Sequence, residues 1–275
     1  MIDEKITILD HGYIKLVESW GSDERIVESA RMSTAKSFLG WGPKCRACGD
    51  SFDGPERDCP NTIIGGRPYI DCGRGGHVFD APGDEKLLKF LWDNAHQTPF
   101  EMAGLTIEVK APIFTLREWM RHRVPFGYNE MSARYIPLPD ENYVPHPADV
   151  ELRSEAAAHS RNNQARGATP RIVHGSEVAQ WLHSLKKSYE MAQTVYEEGL
   201  RIGIPKELAR LPVPVARYSV MRATANLRGW LGFIKLRSAP NAQYEIRVYS
   251  NVVADLIKQK FPRTYEVAKT SLGLQ

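Results

Sequence analysis

The sequence predicts an α+β fold, mostly helical, with a central mixed or antiparallel sheet. Segments whose apolar residues recur every three or four positions indicate amphipathic helices, and a few short segments alternate with period two, as strands do. No internal repeat is present, and 275 residues are enough to bury a sizeable core. We therefore expect one domain over 1–275, interrupted by an irregular insert at 41–83.

The N-terminal part of the chain alternates strands and helices. Asp23 begins a short helix that is expected to end near Ser33. Pro112 suits the first position of a following helix, because its missing N–H costs nothing there. That helix is predicted to bury Ile113, Leu116, Trp119 and Met120. The full set of predictions is two short strands within 5–20 around His11-Gly12, a helix over Glu85–Ala95, a strand over Leu105–Lys110 and a helix over Ile113–Arg123.

The C-terminal part is predicted to be mainly helical. Four prolines between Pro137 and Pro147 favour an extended or irregular segment, and the polar segment 154–171 is expected to be mobile. Beyond it we predict a long amphipathic helix from Val178 to about Gly199, a short helix over Pro205–Arg210, a strand over Tyr218–Ala225, and helices over Leu227–Leu236 and Gln243–Phe261.

Composition excludes several classes of protein. The net charge of +3 is too small for a surface that coats nucleic acid or a membrane. No apolar run approaches the roughly 18 residues that span a bilayer, and the N-terminus lacks the apolar region of a secretory signal. We expect a cytoplasmic protein with neither nucleic-acid nor membrane partners.

All four cysteines lie in the insert. Cys45 and Cys48 have the spacing of a zinc knuckle, which Cys59 and Cys72 would complete, with His77 as a competing ligand. A second Cys-x-x-Cys is missing, and reduced thiols in a loop explain the same residues. We therefore assign no metal.

The most informative segment runs from Arg121 to Tyr135, with the sequence RHRVPFGYNEMSARY. Arg117 and Arg121 are four residues apart on the predicted helix, where like charges repel unless an anion lies between them. Arginine offers a planar, bidentate fork to phosphate. Asn129, Glu130 and Ser132 add groups that bind sugar hydroxyls and phosphate. A solvated charged face is the simpler reading of the arginines alone.

Two further regions of the chain carry polar groups in short succession, one near His96 and one in the C-terminal third. His96-Gln-Thr-Pro-Phe-Glu101 contains Thr98 and Glu101 around a proline, which by themselves suggest a structural capping box. The late segments Asn226-Leu-Arg228 and Leu236-Arg237-Ser-Ala-Pro-Asn241-Ala-Gln-Tyr-Glu245 complete the set.

The segment from Arg121 to Tyr135 and these two regions together resemble the flavin-dependent thymidylate synthases. That family carries Arg-His-Arg, seven residues and Ser, an upstream His-x-Thr-Pro-Phe-Glu, and a late Leu-Arg-x-x-x-x-Ala-Gln-Trp-Glu block. The resemblance covers nearly the whole chain except 41–83 and much of 148–172. It implies the fold of that family, a homotetramer with sites at subunit interfaces, FAD as cofactor, NADPH as reductant and methylenetetrahydrofolate as carbon donor.

The resemblance also implies which residues bind each group. His96 would lie on the folate and NADPH side, and Arg237, Ser132 and Glu130 would be catalytic. The flavin would contact Ser33, Thr98, Glu101, Arg121, His122, Arg123, Val124, Asn129, Glu130, Asn226, Arg228 and Asn241. The nucleotide would contact Glu118, Arg121, Glu130, Ser132, Ala133, Arg134, Arg210 and Arg237.

The chain departs from the family pattern at several places. The gap before Ser132 holds eight residues, Glu118 replaces a usual Gln, Gly232 a usual Asn and Asn241 a usual His. These changes suggest an altered sugar and base pocket, so UMP stands beside dUMP as expected substrate. The chain is similar to a branch of the family that methylates UMP for nucleoside-antibiotic synthesis. No cysteine lies beside the signature, which suits hydride delivery by a flavin better than thiol attack on the base.

Two alternatives remain open from the sequence. A flavin- and folate-dependent 5-hydroxymethylase would capture the same one-carbon intermediate with water. A zinc-knuckle protein would instead use the arginines to bind nucleic-acid backbone.

Overall fold

The computed structural model describes residues 4–41, 44–45, 62–64, 67–70, 77–81, 84–160 and 171–274. Contacts divide the chain into two compact units. Unit 1 comprises the described parts of Met1–Glu18, Thr106–Ala225 and Phe233–Val253, and unit 2 those of Ser19–Leu105, Asn226–Gly232 and Ala254–Gln275. The prediction of one domain with an insert at 41–83 stays a prediction.

A five-stranded sheet runs in the order β1-β2-β7-β9-β8. Its strands are β1 Lys5–Ile8, β2 Gly12–Trp20, β7 Gly104–Pro112, β8 Gly127–Glu130 and β9 Tyr218–Asn226. The pairs β1–β2 and β8–β9 are antiparallel, with Ile6 opposite Ile14 and Tyr128 opposite Ala223. A smaller sheet in the order β3-β6-β5-β4 contains β3 Lys44–Cys45, β4 Thr62–Ile64, β5 Arg67–Ile70 and β6 His77–Ala81.

Helices make up most of the remaining described chain. They are α1 Asp23–Arg31, α2 Asp84–Asp93, α3 Ile113–Trp119, α4 Pro147–His159, α5 Ser176–Arg201, α6 Lys206–Ala209, α7 Leu227–Arg237, α8 Tyr244–Lys260 and α9 Pro262–Leu272. Short 3-10 helices occupy Met32–Thr34 and Thr98–Met102. The predicted α+β, mostly helical fold is confirmed. No described helix is both long enough and apolar enough to cross a bilayer.

Buried polar side chains hold unit 1 together. Arg217 is fully buried between the end of the proline-rich segment and α5, and its guanidinium donates to Asn142, to the carbonyl of Pro139 and to Gln193. A buried charge is tolerated when it is paired and hydrogen-bonded; besides these three hydrogen bonds, Nη2 of Arg217 lies 3.0 Å from the carboxylate of Asp140, which supplies the opposite charge. They fix the segment 139–142, which leads into α4.

Asp23 performs a similar role in unit 2. Its carboxylate is buried at the start of α1, where it accepts hydrogen bonds from the backbone and hydroxyl of Thr264 and from the backbone of Arg263. Three donors to one carboxylate anchor α1 to the start of α9.

Several predicted elements need correction. The helix that begins at Ile113 ends at Trp119 and not at Arg123, so Arg117 and Arg121 do not share a helical face. Met120 is 36% exposed, not buried. β8 and α9 were not predicted, and α4 occupies part of the segment expected to be mobile. The charged and small residues of α4 are spread around the helix, which hides its period.

The zinc hypothesis lies largely outside the described residues. Cys48, Cys59 and Cys72 are not described, and only the backbone of Cys45 and His77 is. Within the described part of the chain, no group of three or more His, Cys, Asp or Glu side chains is placed to hold a metal ion.

Candidate active site

A cavity of about 890 Å³ in unit 1 collects several predicted site residues. Glu118 reaches it from the last turn of α3, Arg121 from the turn that follows, Arg237 from the end of α7, and Asn241 from the loop before α8. The other lining residues come from α4 and the start of α8: Asp149, Leu152, Arg153, Ala156, Ala157, Ser160, Pro240, Ala242, Gln243, Tyr244 and Arg247.

Arginines dominate the charge of this cavity. Arg121, Arg153, Arg237 and Arg247 face it, against two acids, Glu118 and Asp149. Four guanidinium groups around one concave space attract an anion and supply several forks for a phosphate. The volume lies within the range of small-molecule sites.

Arg237 is the most constrained of the four. Its Nε donates to Nε2 of His122 at 2.9 Å, its Nη1 to Oε2 of Glu118 at 2.7 Å, and its Nη2 to the carbonyl oxygen of Glu118 at 3.0 Å. Its side chain is only 18% exposed. Three anchors on one planar group fix its orientation before any ligand binds, which is what preorganised electrostatic stabilisation requires.

His122 is held as a neutral acceptor. Burial, and then the positive charge of Arg237, lowers the pKa of His122 to about 4. At neutral pH the ring is therefore uncharged, and since Nε2 accepts from Arg237, its proton lies on Nδ1. The ring packs edge-on against Phe233, 5.0 Å between centroids.

A tyrosine on β8 fixes the turn that carries these residues. The hydroxyl of Tyr128 is 2.8 Å from the carbonyl oxygen of Trp119 and 2.9 Å from that of His122. Trp119 is itself fully buried and stacks on Phe233 at 4.4 Å. The turn 120–122 is thus tied to the sheet on one side and to the aromatic core on the other.

The remainder of the signature lies elsewhere on unit 1. Asn129 and Glu130 belong to β8, where they pair with Arg222 and Met221 of β9. Ser132 starts a turn in which its hydroxyl accepts from the backbone of Arg134. We call the cavity lined by Arg121, Arg153, Arg237 and Arg247 the arginine cavity. Five predicted nucleotide-binding residues in the described part of the chain do not line it: Glu130, Ser132, Ala133, Arg134 and Arg210.

This second group lies beside α6. Arg134 approaches Glu207 at 3.7 Å, and Lys206 donates to the carbonyl of Tyr135 at 2.9 Å. Arg134 and Arg210 are both exposed, whereas Ala133 is buried. Two guanidinium groups, those of Arg134 and Arg210, are therefore exposed next to the turn that Ser132 begins.

Comparison with known proteins identifies the family of this chain. The family described as "Thymidylate synthase complementing protein" matches residues 15–263. The chain is 32% identical over 262 residues to a flavin-dependent thymidylate synthase of Wolbachia pipientis wMel, covering 95% of this chain and 75% of that one. It is 31% identical to the enzyme of the same name from Thermosipho africanus, covering 94% and 91% of the two chains.

The chain belongs to the flavin-dependent thymidylate synthases. It is thus an enzyme, a flavin-dependent methyltransferase. Among solved structures it is similar to the UMP/dUMP methylase PolB from Streptomyces cacaoi bound with 5-Br dUMP, with a TM-score of 0.69, 29% identity and 97% of both chains covered. The PolB structure bound with 5-Br UMP also gives a TM-score of 0.69, at 27% identity, with 97% of this chain and 96% of that chain covered.

The flavin residues that the family resemblance implies fall in both units. In unit 1, Arg123 and Val124 are exposed on the turn after His122, and Val124 is 91% exposed. In unit 2, Glu101 and Arg228 form an ion pair of 2.6 Å, while Ser33, His96 and Thr98 are exposed. Asn226 caps α7, because its Oδ1 accepts from the backbone of Gly229.

The pairing of Glu101 corrects the capping-box interpretation. Thr98–Met102 is a 3-10 helix whose N-cap is Gln97, and no side chain caps it. Glu101 instead turns to Arg228, which comes from a distant part of the sequence. For a flavin-dependent thymidylate synthase, this brings two predicted flavin residues into contact.

Arg153 and Arg247, which line the cavity, were not predicted as site residues from the sequence. Glu245 is buried, and it accepts from Arg153 at 2.6 Å, from Gln243 at 2.9 Å and from the hydroxyl of Tyr143 at 3.3 Å. Burial alone would raise the pKa of Glu245, but the hydrogen bond and charge of Arg153 lower it below its usual range. Glu245 was visible in the Ala-Gln-x-Glu block, whereas nothing in the sequence marked Arg153.

Proposed function

We propose that this enzyme transfers a methyl group to C5 of a uracil nucleoside monophosphate, dUMP, UMP or both. FAD would serve as cofactor, methylenetetrahydrofolate as carbon donor and NADPH as reductant. The main support for the proposal is the arginine cavity. Arg237 is held there by His122 and Glu118, and three further arginines line the same cavity. The name of PolB, a UMP/dUMP methylase, supports the nucleotide class.

The charge of the cavity suits a nucleoside monophosphate. A phosphate dianion would be neutralised mainly by Arg121 and Arg247, which line the cavity with Arg237 and with Arg153, itself paired with Glu245. Arg237 would then lie near the pyrimidine, where its guanidinium stabilises negative charge that develops on the ring oxygens. Because its orientation is already fixed, little reorganisation accompanies the reaction.

The described residues also fit a flavin. In unit 1, Arg121 and Arg123 are exposed guanidinium groups of the kind that bind a pyrophosphate, and Val124 offers an exposed apolar side chain to a ring face. In unit 2, Arg228 is a further exposed guanidinium group. When bound, FAD supplies the hydride chemistry. The protein's own residues would bind the two ligands, hold them in line and stabilise charge. No thiol is needed, and the four cysteines lie far from the signature in sequence.

Sites shared between subunits of a homotetramer form part of the proposal. Ser132, Arg134 and Arg210 are the predicted nucleotide residues that lie beside α6 and outside the arginine cavity. Apolar side chains around them are unusually exposed: Tyr135 by 75%, Ile136 by 51%, Leu208 by 52% and Leu211 by 78%. Exposed apolar clusters mark association surfaces. A second copy packed on this face would add Arg134 and Arg210 to a neighbour's cavity. Cytoplasmic location and the lack of nucleic-acid or membrane partners also stay part of the proposal.

Anaerobic turnover tests the proposal. Flavin-loaded enzyme is incubated with dUMP or UMP, methylenetetrahydrofolate and NADPH, and each component is omitted in turn. We expect a product heavier by one methyl group only in the complete mixture. A product that carries a hydroxymethyl group instead, or product without folate, would contradict the assigned reaction.

A further inference from the structure

A second cavity lies in unit 1, between α4 and α5. Its volume is about 590 Å³, which falls within the range of small-molecule sites. Four aromatic side chains line it, those of Phe114, Tyr143, Trp181 and Tyr189, and we call it the aromatic cavity. None of the residues predicted to bind flavin, nucleotide or folate is among its described lining residues. The proposed reaction therefore leaves this cavity without a role.

Three of the aromatic rings are held in place by the protein itself. The rings of Phe114 and Tyr143 lie 6.0 Å apart between centroids, and the hydroxyl of Tyr189 donates to the carbonyl oxygen of Tyr143 at 3.2 Å. Phe114 and Tyr189 also pack against the buried cluster that contains Tyr143. These walls are thus formed before any ligand binds.

The fourth ring is only partly covered. Trp181 lines the cavity from α5, yet it is 50% exposed. A large aromatic side chain gains burial and ring contacts when a flat ligand lies against it. The cavity therefore offers three fixed rings and one half-open ring to a planar molecule.

The charges of the aromatic cavity are already paired. Among its described lining residues, the charged ones are Arg153 and Glu245, which lie 2.6 Å apart. The side chain of Glu245 is only 3% exposed, and it also accepts from Gln243 and from the hydroxyl of Tyr143. Its carboxylate oxygens are therefore in use within the protein.

This pairing favours a ligand without charge. An anion would have to share Arg153 with the buried carboxylate of Glu245, and like charges at such short distances repel. A cation would be repelled by Arg153 itself. Arg153 is 44% exposed and its guanidinium carries five N–H groups, so it can still donate to a neutral carbonyl oxygen.

We propose that the aromatic cavity is a separate binding site for an uncharged, planar aromatic molecule that carries a carbonyl oxygen, such as an aromatic amide. The four rings contact the ligand ring, and Arg153 donates to its oxygen. Charge distinguishes the two cavities of unit 1: the arginine cavity attracts anions, whereas the aromatic cavity accepts a neutral ring. The inference goes beyond the proposed function and does not depend on it.

Equilibrium dialysis of flavin-loaded protein with 2-naphthamide tests the proposal. We expect a dissociation constant below about 1 mM, the affinity that a modest free energy per ligand atom gives for a molecule of this size. Three analogues test the chemistry: 2-naphthoate carries a negative charge, 2-naphthylmethylamine a positive charge, and decalin-2-carboxamide is the saturated counterpart. Each should bind at least about fivefold more weakly, because charge or the loss of ring contacts disfavours it.

The variant Trp181→Ala locates the binding. Removing this ring should weaken binding of 2-naphthamide at least about tenfold. Met191→Ala is the matched control, since Met191 lies on the same helix, is 66% exposed and is not among the lining residues. This control should bind 2-naphthamide as the wild type does. Thermal melting and flavin content confirm that both variants are folded.

The outcomes are independent of the assigned reaction. The inference is overturned if 2-naphthamide does not bind below about 1 mM, if a charged analogue binds as tightly, or if Trp181→Ala binds it as the wild type does. The dialysis contains neither nucleotide nor folate. Methyl transfer can therefore fail while the aromatic site stands, and the aromatic site can fail while methyl transfer stands.

Discussion

The Nε of Arg237 lies 2.9 Å from Nε2 of His122, and this hydrogen bond joins the end of α7 to the Arg-His-Arg turn. The two residues are 115 positions apart in sequence, so the contact depends on the fold as a whole. It explains why a histidine stands between two arginines: a neutral ring accepts from Arg237, whereas a third cation would repel it. Glu118 completes the clamp from α3.

Replacing Arg237 with lysine should reduce the rate of methyl transfer by about 10²–10³, the typical cost of losing a preorganised donor. Lysine keeps the charge but does not contact His122 and Glu118 simultaneously as a planar fork does. The measurement is single-turnover flavin oxidation with saturating nucleotide. Lys235→Ala, an exposed position on the same helix, serves as control and should retain the wild-type rate. Equal rates for Arg237→Lys and wild type would show that the guanidinium of Arg237 does not contribute to the reaction.

His122 should make the folded state sensitive to acid. Because its pKa is lowered to about 4, the unfolded chain binds a proton between roughly pH 6.5 and 4 that the folded chain does not bind. The free energy of unfolding should therefore decrease as pH falls through this window. Urea titrations of wild type and His122→Asn, at pH 7 and pH 5, measure the effect. The variant should show a smaller decrease; an identical decrease would contradict the neutral, buried histidine.

The ion pair between Arg153 and Glu245 should contribute to stability. Arg153→Met leaves the buried carboxylate of Glu245 without its main partner. Because Arg153 is 44% exposed, we expect a loss of about 2 kcal/mol, below the range for fully buried pairs. Denaturant unfolding measures the loss. Arg171→Met breaks an exposed pair with Glu177 and should cost less than about 0.5 kcal/mol. Similar losses in the two variants would contradict the buried role of Glu245.

The Glu101–Arg228 pair should hold the flavin side of the site in place. Arg228→Ala is expected to weaken FAD binding about tenfold, because a charge-assisted donor is lost. Arg222→Ala is a close control: Arg222 is also 52% exposed and pairs with Glu108 at 2.9 Å, outside the predicted flavin residues. Fluorescence titration of apo-protein with FAD measures both. If FAD binding is weakened equally in the two variants, the effect comes from the loss of a surface charge and not from the position of Arg228.

The apolar face beside α6 should carry subunit association. Changing both Leu208 and Leu211 to glutamate places charges on side chains that are 52% and 78% exposed in the single chain. Sedimentation analysis should show a tetramer for wild type and smaller species for the double variant, with turnover lost in parallel. A variant that remains tetrameric would locate the interface elsewhere.

The sequence predicted most elements because their periodicity is strong. In the strand Gly104–Pro112, apolar residues recur at every second position with few interruptions. In the helix Ser176–Arg201, they recur every three or four positions. The helix Pro147–His159 was missed, because alanines and charges surround it on all sides. Strand Gly127–Glu130 is only four residues long and is defined by its partner, so local pattern does not reveal it.

The same contrast applies to the site. Arg121, Glu118 and Arg237 were predicted as site residues because the family resemblance marks them, and the cavity brings these three together. Their roles stay predictions. Arg153 and Arg247 reach the same cavity through the packing of α4 and α8, which sequence spacing does not encode. The resemblance also named Arg134 and Arg210, and their separation from the cavity within one chain follows from the tertiary fold alone.

The most direct test of the account is carbon transfer by a variant in which Cys45, Cys48, Cys59 and Cys72 are all serine. If the arginine cavity and a flavin suffice, folded and flavin-loaded variant should yield methylated nucleotide at a rate within about twofold of wild type, as read by product mass. Absence of methylated product from such a protein would mean that a thiol takes part in the reaction, and would contradict the account.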